Sequence, residues 1–347
     1  MIENASEDLK CDVLIFITTS SEQDALKTAA KEAGVGFRRR NMNEVGEYFQ
    51  LGIIGATRVN AVRTKMGPFS HGGSAAKAII FKIASGATAI IQLGMAFGID
   101  PNLQNAGDVL VSTSIIPYDD RDVVAEGIVC EVMPAAQQGI DDAIEGADSI
   151  DQSAATRGSI QPSARPHPEL FGSRTGVVGR VLGAFTPRRF ATLWRDMLRS
   201  PSPAKQHTYQ TIYPRVLRHH AKPSLLELLK REENRGGYGH RIQFGGMLSG
   251  GARIFSSQYL KELVNSVPNA EDGIIGGDME GVGLLSISPP EDPLWVVVKG
   301  ISDFADENRG SIDLDEVRKA LFKDQRRTAC QNSARFVLRA LANAEKI

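Results

Sequence analysis

Two hydrophobic rhythms run through this chain. Apolar runs at Val13–Ile17 and 296–298, and the mainly apolar stretch 87–93, predict buried strands, because a strand covered on both faces carries apolar side chains at successive positions. Residues 34–66 read as strands and turns, with strands at 48–54 and 58–62. Helices are predicted after the polar turn Thr18-Thr19-Ser20-Ser21, over 75–84, near 185–199 and 225–235, over 256–264, and as one helix or a pair over 313–341. In the last of these Val317, Leu321, Phe336, Leu338 and Leu341 supply the apolar positions. The most apolar stretch, 78–99, is broken by Lys82, Ser85, Gly86 and Gln92, so it reads as a helix followed by a strand rather than as a membrane span.

The polar residues fall at the ends of these elements. The run Val296–Val298 follows the breaker Ser288-Pro289-Pro290, and it is expected to end at Lys299-Gly300 with Ser302 and Asp303 just beyond. Open α/β sheets expose their chemistry there, at the carboxyl ends of strands. Upstream, Gly281 to Leu285 follows Asp278-Met279-Glu280 and reads as the first turn of a helix. Glu280 and Asp303 thus each sit at an element end, and spacing alone leaves open whether they meet. Glu22 falls in the first turn of the helix after the first strand, where a carboxylate suits the positive helix end. The glycine-rich stretch 67–76, with His71, precedes a helix and can present backbone N–H groups to an anion or a hydroxyl, though it lacks the Gly-Lys-Ser/Thr ending of a P-loop.

Composition narrows the classes. The chain has 347 residues, 42% hydrophobic and 23% charged, as expected of an ordinary globular protein with room for one large domain or two smaller ones. A formal net charge of −1 argues against a whole-protein nucleic-acid binder. Cys11, Cys130 and Cys330 are far apart, with neither metal spacing nor a disulfide framework, which fits a reducing cytoplasm. The start, Met1-Ile2-Glu3-Asn4, is acidic where a signal peptide is basic.

Asp-Met-Glu-Gly at 278–281, followed by Val-Lys-Gly-Ile-Ser-Asp-Phe-Ala-Asp at 298–306, resembles the signature of the nucleoside phosphorylase/nucleosidase superfamily, nearest the methylthioadenosine/S-adenosylhomocysteine nucleosidases. Three further segments are similar to that pattern. Glu22-x-x-Ala25-Leu26 follows the first strand, Gly94 to Ile99 ends the central strand, and Gly245 to Ile254 resembles a Ser-Gly-Asp-x-Phe-Ile turn. Gly107 to Ser112 matches the strand that follows. The pattern is broken where Met95 replaces a small polar residue, Phe97 and Gly251 replace a glycine and an aspartate, and Arg253 stands near an aromatic position.

The resemblance implies an α/β/α sandwich around a central mixed sheet and cleavage of a purine N-glycosidic bond. Asp303 would carry the proton for the leaving purine and Glu22 would act as base for the attacking water. Glu280 and Met279 would hold the ribose. Asp278, Gly94, Ala96, Phe97, Arg253, Ile254 and Ser302 would complete the substrate contacts. It implies no metal, no cofactor and a homodimer or higher homo-oligomer. Phosphorylases of the family bring an arginine and a serine beside the Gly94 turn, where this chain has Gln92 and Met95, so hydrolysis is the expectation. Phosphorolysis or a catalytically silent nucleotide-sensing module are the alternatives.

The resemblance covers roughly 11–125 and 243–345, which places one α/β domain over 1–129 and 243–347, with residues 130–242 read as a basic, partly helical insertion. Residues 131–152 are acidic and alanine-rich, and 153–168 have linker composition. Residues 160–241 then hold fifteen Lys/Arg, twelve of them Arg, against five Asp/Glu. Such a segment is a solvated insertion or a dimer contact on one reading and a phosphate-binding lid on another. Trp194 beside Arg188, Arg189 and Arg195 gives thin support for a nucleic-acid groove. The lid favours an AMP- or ATP-type substrate, and a basic insertion on a standalone nucleosidase also resembles nucleotide-degrading effectors of antiphage defence.

Overall fold

Five apolar side chains in a row form β1 (Val13–Ile17), and all five are buried. They can be so only inside a sheet covered on both faces. In the computed structural model, which describes residues 7–42, 45–119, 122–125, 209–212, 218–267, 273–289, 291–307 and 316–344, β1 pairs in parallel with β4 (Thr57–Arg63) and with β5 (Ala89–Gly98). β5 continues in parallel to β12 (Trp295–Asp303), which is antiparallel to β6 (Val109–Pro117). β6 runs parallel to β10 (Ile242–Ser249), and β10 to β11 (Ile274–Asp278).

β11 then returns to the far end of β5, with Gly276 opposite Gly98 and Gly277 opposite Phe97. Five strands therefore close on one another, while β4, β3 (Gly46–Ile54) and β2 (Arg38–Met42) continue outward from β1. The closure needs glycine. A Cβ on Gly277 would stand 2.3 Å from the Phe97 ring and 2.6 Å from the Leu248 carbonyl.

Helices complete the layers. α1 (Ser20–Glu32) packs against α5 (Glu316–Ala342), which also lies over β5 and β12. α2 (Ser74–Ser85) packs against the 3-10 segment Gly281–Ile287. On β12 the Cβ direction of Gly300 meets Ala329 of α5, whereas Lys299 reaches Asp278 and Glu280. Neighbouring strand residues face opposite sides, so α5 covers one face and the end of β11 the other. The mixed α/β architecture expected from the sequence is the one observed.

Several details differ. β12 runs through to Asp303 instead of ending at Gly300, because β5 pairs with it as far as Phe97. For the same reason Gly94 to Gly98 is strand, not turn. The helix expected at 281 is a 3-10 segment, while the one expected over 256–264 forms α4 (Ser257–Asn265). Val317 and Leu321 are exposed, while Phe336, Leu338 and Leu341 are buried.

The chain forms two compact units, 1–121 with 213–347, and 122–212. Residues 219–235, grouped above with the insertion, form β9 (His219–His220), paired to β6, and α3 (Pro223–Arg235), packed on α5, all in the first unit. In the second unit β7 (Asp122–Ala125) pairs antiparallel with β8 (Tyr209–Ile212). The helix expected near 185–199, Trp194, Cys130 and the stretches 131–152 and 153–168 lie outside the described residues. Among the described residues no helix is long and apolar enough to cross a membrane.

Candidate functional site

The start of α1 is locked by a capping box. Thr19 caps the helix through its hydroxyl, which accepts from Glu22 N, and the Glu22 carboxylate accepts from Thr19 N at 2.7 Å. Glu22 does more than cap. The same oxygen accepts from Thr18 N at 2.6 Å, and the other accepts from Met95 N at 3.1 Å, tying α1 to β5. The approach requires Gly94, whose φ is +149° and whose Cβ, if present, would lie 2.1 Å from that second oxygen.

Register places Lys299 beside Gly94. Its ammonium lies 3.1 Å from Glu280 and 3.3 Å from Asp278. Asp278 is braced by Ser249, whose hydroxyl donates at 2.6 Å, and by Gly281 N. The Glu280 backbone carbonyl accepts from Ser74 Oγ at the start of α2. Glu22, Asp278, Glu280 and Lys299 are all buried, with relative exposures of 3, 3, 6 and 0%.

Two carboxylates thus share one ammonium away from water, with the charge of Glu22 near enough to act on both Glu280 and Lys299. Burial pushes the Glu280 pKa up, and nearby Asp278 and Glu22 add to the rise against the pull of Lys299. Burial works against charge on Lys299, but Glu280, Asp278 and Glu22 outweigh it and its pKa is raised. Four residues after Lys299, Asp303 lies beside Phe97 in the register. Ser302 Oγ lies 2.7 Å from one Asp303 oxygen and 3.3 Å from the Ala96 carbonyl, and Ala305 N donates to the other Asp303 oxygen. Ala305 takes a φ of +53°, so this turn is held in a conformation that non-glycine residues rarely adopt.

No family model matches the chain, and no curated protein matches its sequence. Solved structures match its fold. The 5'-methylthioadenosine/S-adenosylhomocysteine nucleosidase of Neisseria meningitidis, solved with methylthio-immucillin-A, matches with a TM-score of 0.55 at 14% identity, over 96% of this chain and 100% of that one. The S-adenosylhomocysteine nucleosidase of Streptococcus pyogenes gives 0.56 at 13% identity, over 97% and 98%. The futalosine hydrolase of Helicobacter pylori gives 0.55 at 14%, over 95% and 97%. This is the nucleosidase fold. The fold expected from the two motifs is therefore the one these solved structures share.

Within this nucleosidase fold the expected residues divide into groups. Glu280 and Asp278 pair with Lys299, and Glu22, with Gly94 against it, acts on the pair through its charge. Ser302, Asp303 and Ala96 are joined by hydrogen bonds. Phe97 and Ile254 share an apolar cluster with Tyr118, Leu248 and Ala305. Met279 is half-buried between Asp278 and Glu280. Arg253 is exposed and its guanidinium rests on the Met66 sulfur, outside the buried cluster. The sequence reading gave Lys299 no role, yet it is the common partner of Asp278 and Glu280. Its signal was a lysine directly after a β-branched run, a residue type almost never buried unless paired.

Proposed function

We propose that this chain is a purine nucleosidase that hydrolyses the N-glycosidic bond of a purine nucleoside or nucleotide. The observation that carries the reading is Glu280 paired with a fully buried Lys299, with the charge of Glu22 acting on both and Asp303 four residues further along β12. Breaking the C1'–N9 bond leaves positive charge on the ribose and sends the electron pair to the base. Asp303 supplies the proton to the departing purine, at N7. Water adds to C1' and gives its proton to Glu22. Glu280 accepts from the ribose hydroxyls, and a cluster with more carboxylate than ammonium favours the developing cation.

Finer features rest on composition and on the exposed surface. The excess of Lys/Arg in 160–241 supports a preference for AMP or ATP over adenosine or methylthioadenosine, and a nucleotide-depleting role in antiphage defence is consistent with that chemistry. α2 presents exposed Ile79, Ile80 and Ile83 opposite its buried face, which supports a homodimer, since a helix apolar all round is normally covered. Cys11 and Cys330 are buried free thiols, as suits a reducing cytoplasm.

Phosphorolysis stands as the second reading because of one observation. From α5, Arg326 Nε lies 3.4 Å from Met95 Sδ and Ser333 Oγ lies 3.2 Å from the Gly94 carbonyl, so an arginine and a serine do approach the Gly94 segment. One assay addresses both. The purified chain is incubated with AMP, ATP, adenosine and methylthioadenosine, with and without phosphate, at low and high salt, and free base is measured by chromatography. Hydrolysis predicts base release without phosphate, and the nucleotide preference should shrink as salt screens the charges. Strict dependence on phosphate selects the second reading, and release from none of the four substrates overturns both.

A further inference from the structure

A cavity of about 1050 Å3 lies in the first unit between the end of α1, the second half of α5, the loop before β6 and the turn 236–241. None of the residues lining it belongs to the Lys299 cluster. Its walls are fixed. The Tyr238 ring is capped by the Arg339 guanidinium at 4.4 Å, stands edge-on to Phe336, and donates its hydroxyl to Glu232. Asn332 Nδ2 donates to the Gly107 carbonyl at 2.7 Å, pinning the loop before β6 to α5.

The polar groups here are unevenly engaged. Asp108 accepts from Arg241 N and Asn105 N, one bond to each oxygen. Glu32 receives both Nε and Nη2 of Arg335 at 2.7 Å. Both lining carboxylates are therefore occupied. The remaining capacity is on the donor side: the Nη1 edge of Arg335, and Arg241, which gives only Nη1 to the Leu103 carbonyl. The His240 ring also lines the cavity, and its Nε2 is buried without a hydrogen-bond partner. An occupant suited to these donors accepts hydrogen bonds from guanidinium groups, as phosphate oxygens do in bidentate geometry. The volume exceeds that of a bare anion and is of the size that holds a small organic molecule.

We propose that this cavity is a second ligand site, separate from the Lys299 cluster, for a small organic phosphate. The site also touches the candidate active centre through the backbone. Gly107 N donates to the Ile301 carbonyl and Ile301 N to the Asp108 carbonyl, both at 2.8 Å, two residues before Asp303.

The test is calorimetric titration of the full chain with ribose 5-phosphate, inorganic phosphate and ribose, paired with hydrogen exchange. Ribose 5-phosphate should bind and protect peptides covering 236–241 and 328–339. Arg241→Gln and Arg335→Gln should each weaken it about ten-fold through loss of charge-assisted bonds. Asp303→Asn should leave it unchanged. Arg241 is exposed, so its variant tests the site without disturbing the Glu32 bridge. Absence of saturable binding, equal binding by inorganic phosphate or by ribose, survival of binding in both arginine variants, or its loss in Asp303→Asn would each overturn the proposal. None of these readouts depends on nucleosidase activity.

Discussion

Lys299 and Glu280 meet at 3.1 Å with side chains 0% and 9% exposed, so neither charge has water to fall back on. Replacing Lys299 with Met should cost about 3–5 kcal/mol, the usual effect of stranding a buried partner. The variant's stability should also become acid-favoured. Burial already raises the Glu280 pKa, and loss of the ammonium raises it further. The folded variant then holds a proton that the unfolded chain has released, so this stabilisation is full below about 4.5, the reference value, and is lost as pH rises through the folded pKa. Melting temperatures from pH 5 to 8 check this. A flat profile would mean that the pair is not electrostatically coupled.

Gly94→Ala should displace Glu22. The new methyl would sit 2.1 Å from a Glu22 oxygen at a φ of +149°. A loss of stability on the order of 1–3 kcal/mol is expected from the backbone strain, with more from the clash. Gly86→Ala, also at positive φ but with no atom within 4 Å of the added carbon, separates the two effects. Melting temperature and base release of the two variants should diverge sharply.

Asp303→Asn should stop base release while leaving the melting temperature near that of the parent, because the amide cannot deliver the proton. Glu280→Gln should act mainly on kcat, since its bonds to the ribose tighten as positive charge develops. Steady-state kinetics and a 2',3'-dideoxy substrate distinguish the two roles. Parental turnover of Asp303→Asn would remove it from the mechanism.

Ile83→Asp on α2 should leave the fold intact, because that side chain is 57% exposed, and should dissociate a homodimer if α2 pairs with its copy. Sedimentation of parent and variant gives the answer. A parent that is monomeric at high concentration excludes the interface.

Much of the α/β frame was legible because its strands are self-declaring. Val13–Ile17 and Val296–Val298 are β-branched or apolar throughout, and Glu22 follows a capping turn that only a helix start requires. Strand ends were less legible. Pairing with β5, a long-range fact, carries β12 on to Asp303, and Gly94 to Gly98 remain extended for the same reason. Closure of the sheet through Gly276 and Gly277 left only two glycines as a trace. Lys299 was overlooked because a lone cation after a strand looks like surface until its partners, 19 and 21 positions earlier, are seen folded onto it.

Glu22 is surrounded by donors alone: Thr18 N and Thr19 N at one oxygen and Met95 N at the other. A glutamine there would turn an amide N–H toward another N–H in either orientation. An alanine would leave three backbone donors unanswered and break the capping box, keeping only the Thr19 hydroxyl bond to the backbone of residue 22. The position therefore admits only an anion of this length. No substitution at residue 22 can silence the candidate base while sparing the helix start. Loss of function at that position is inseparable from loss of structure.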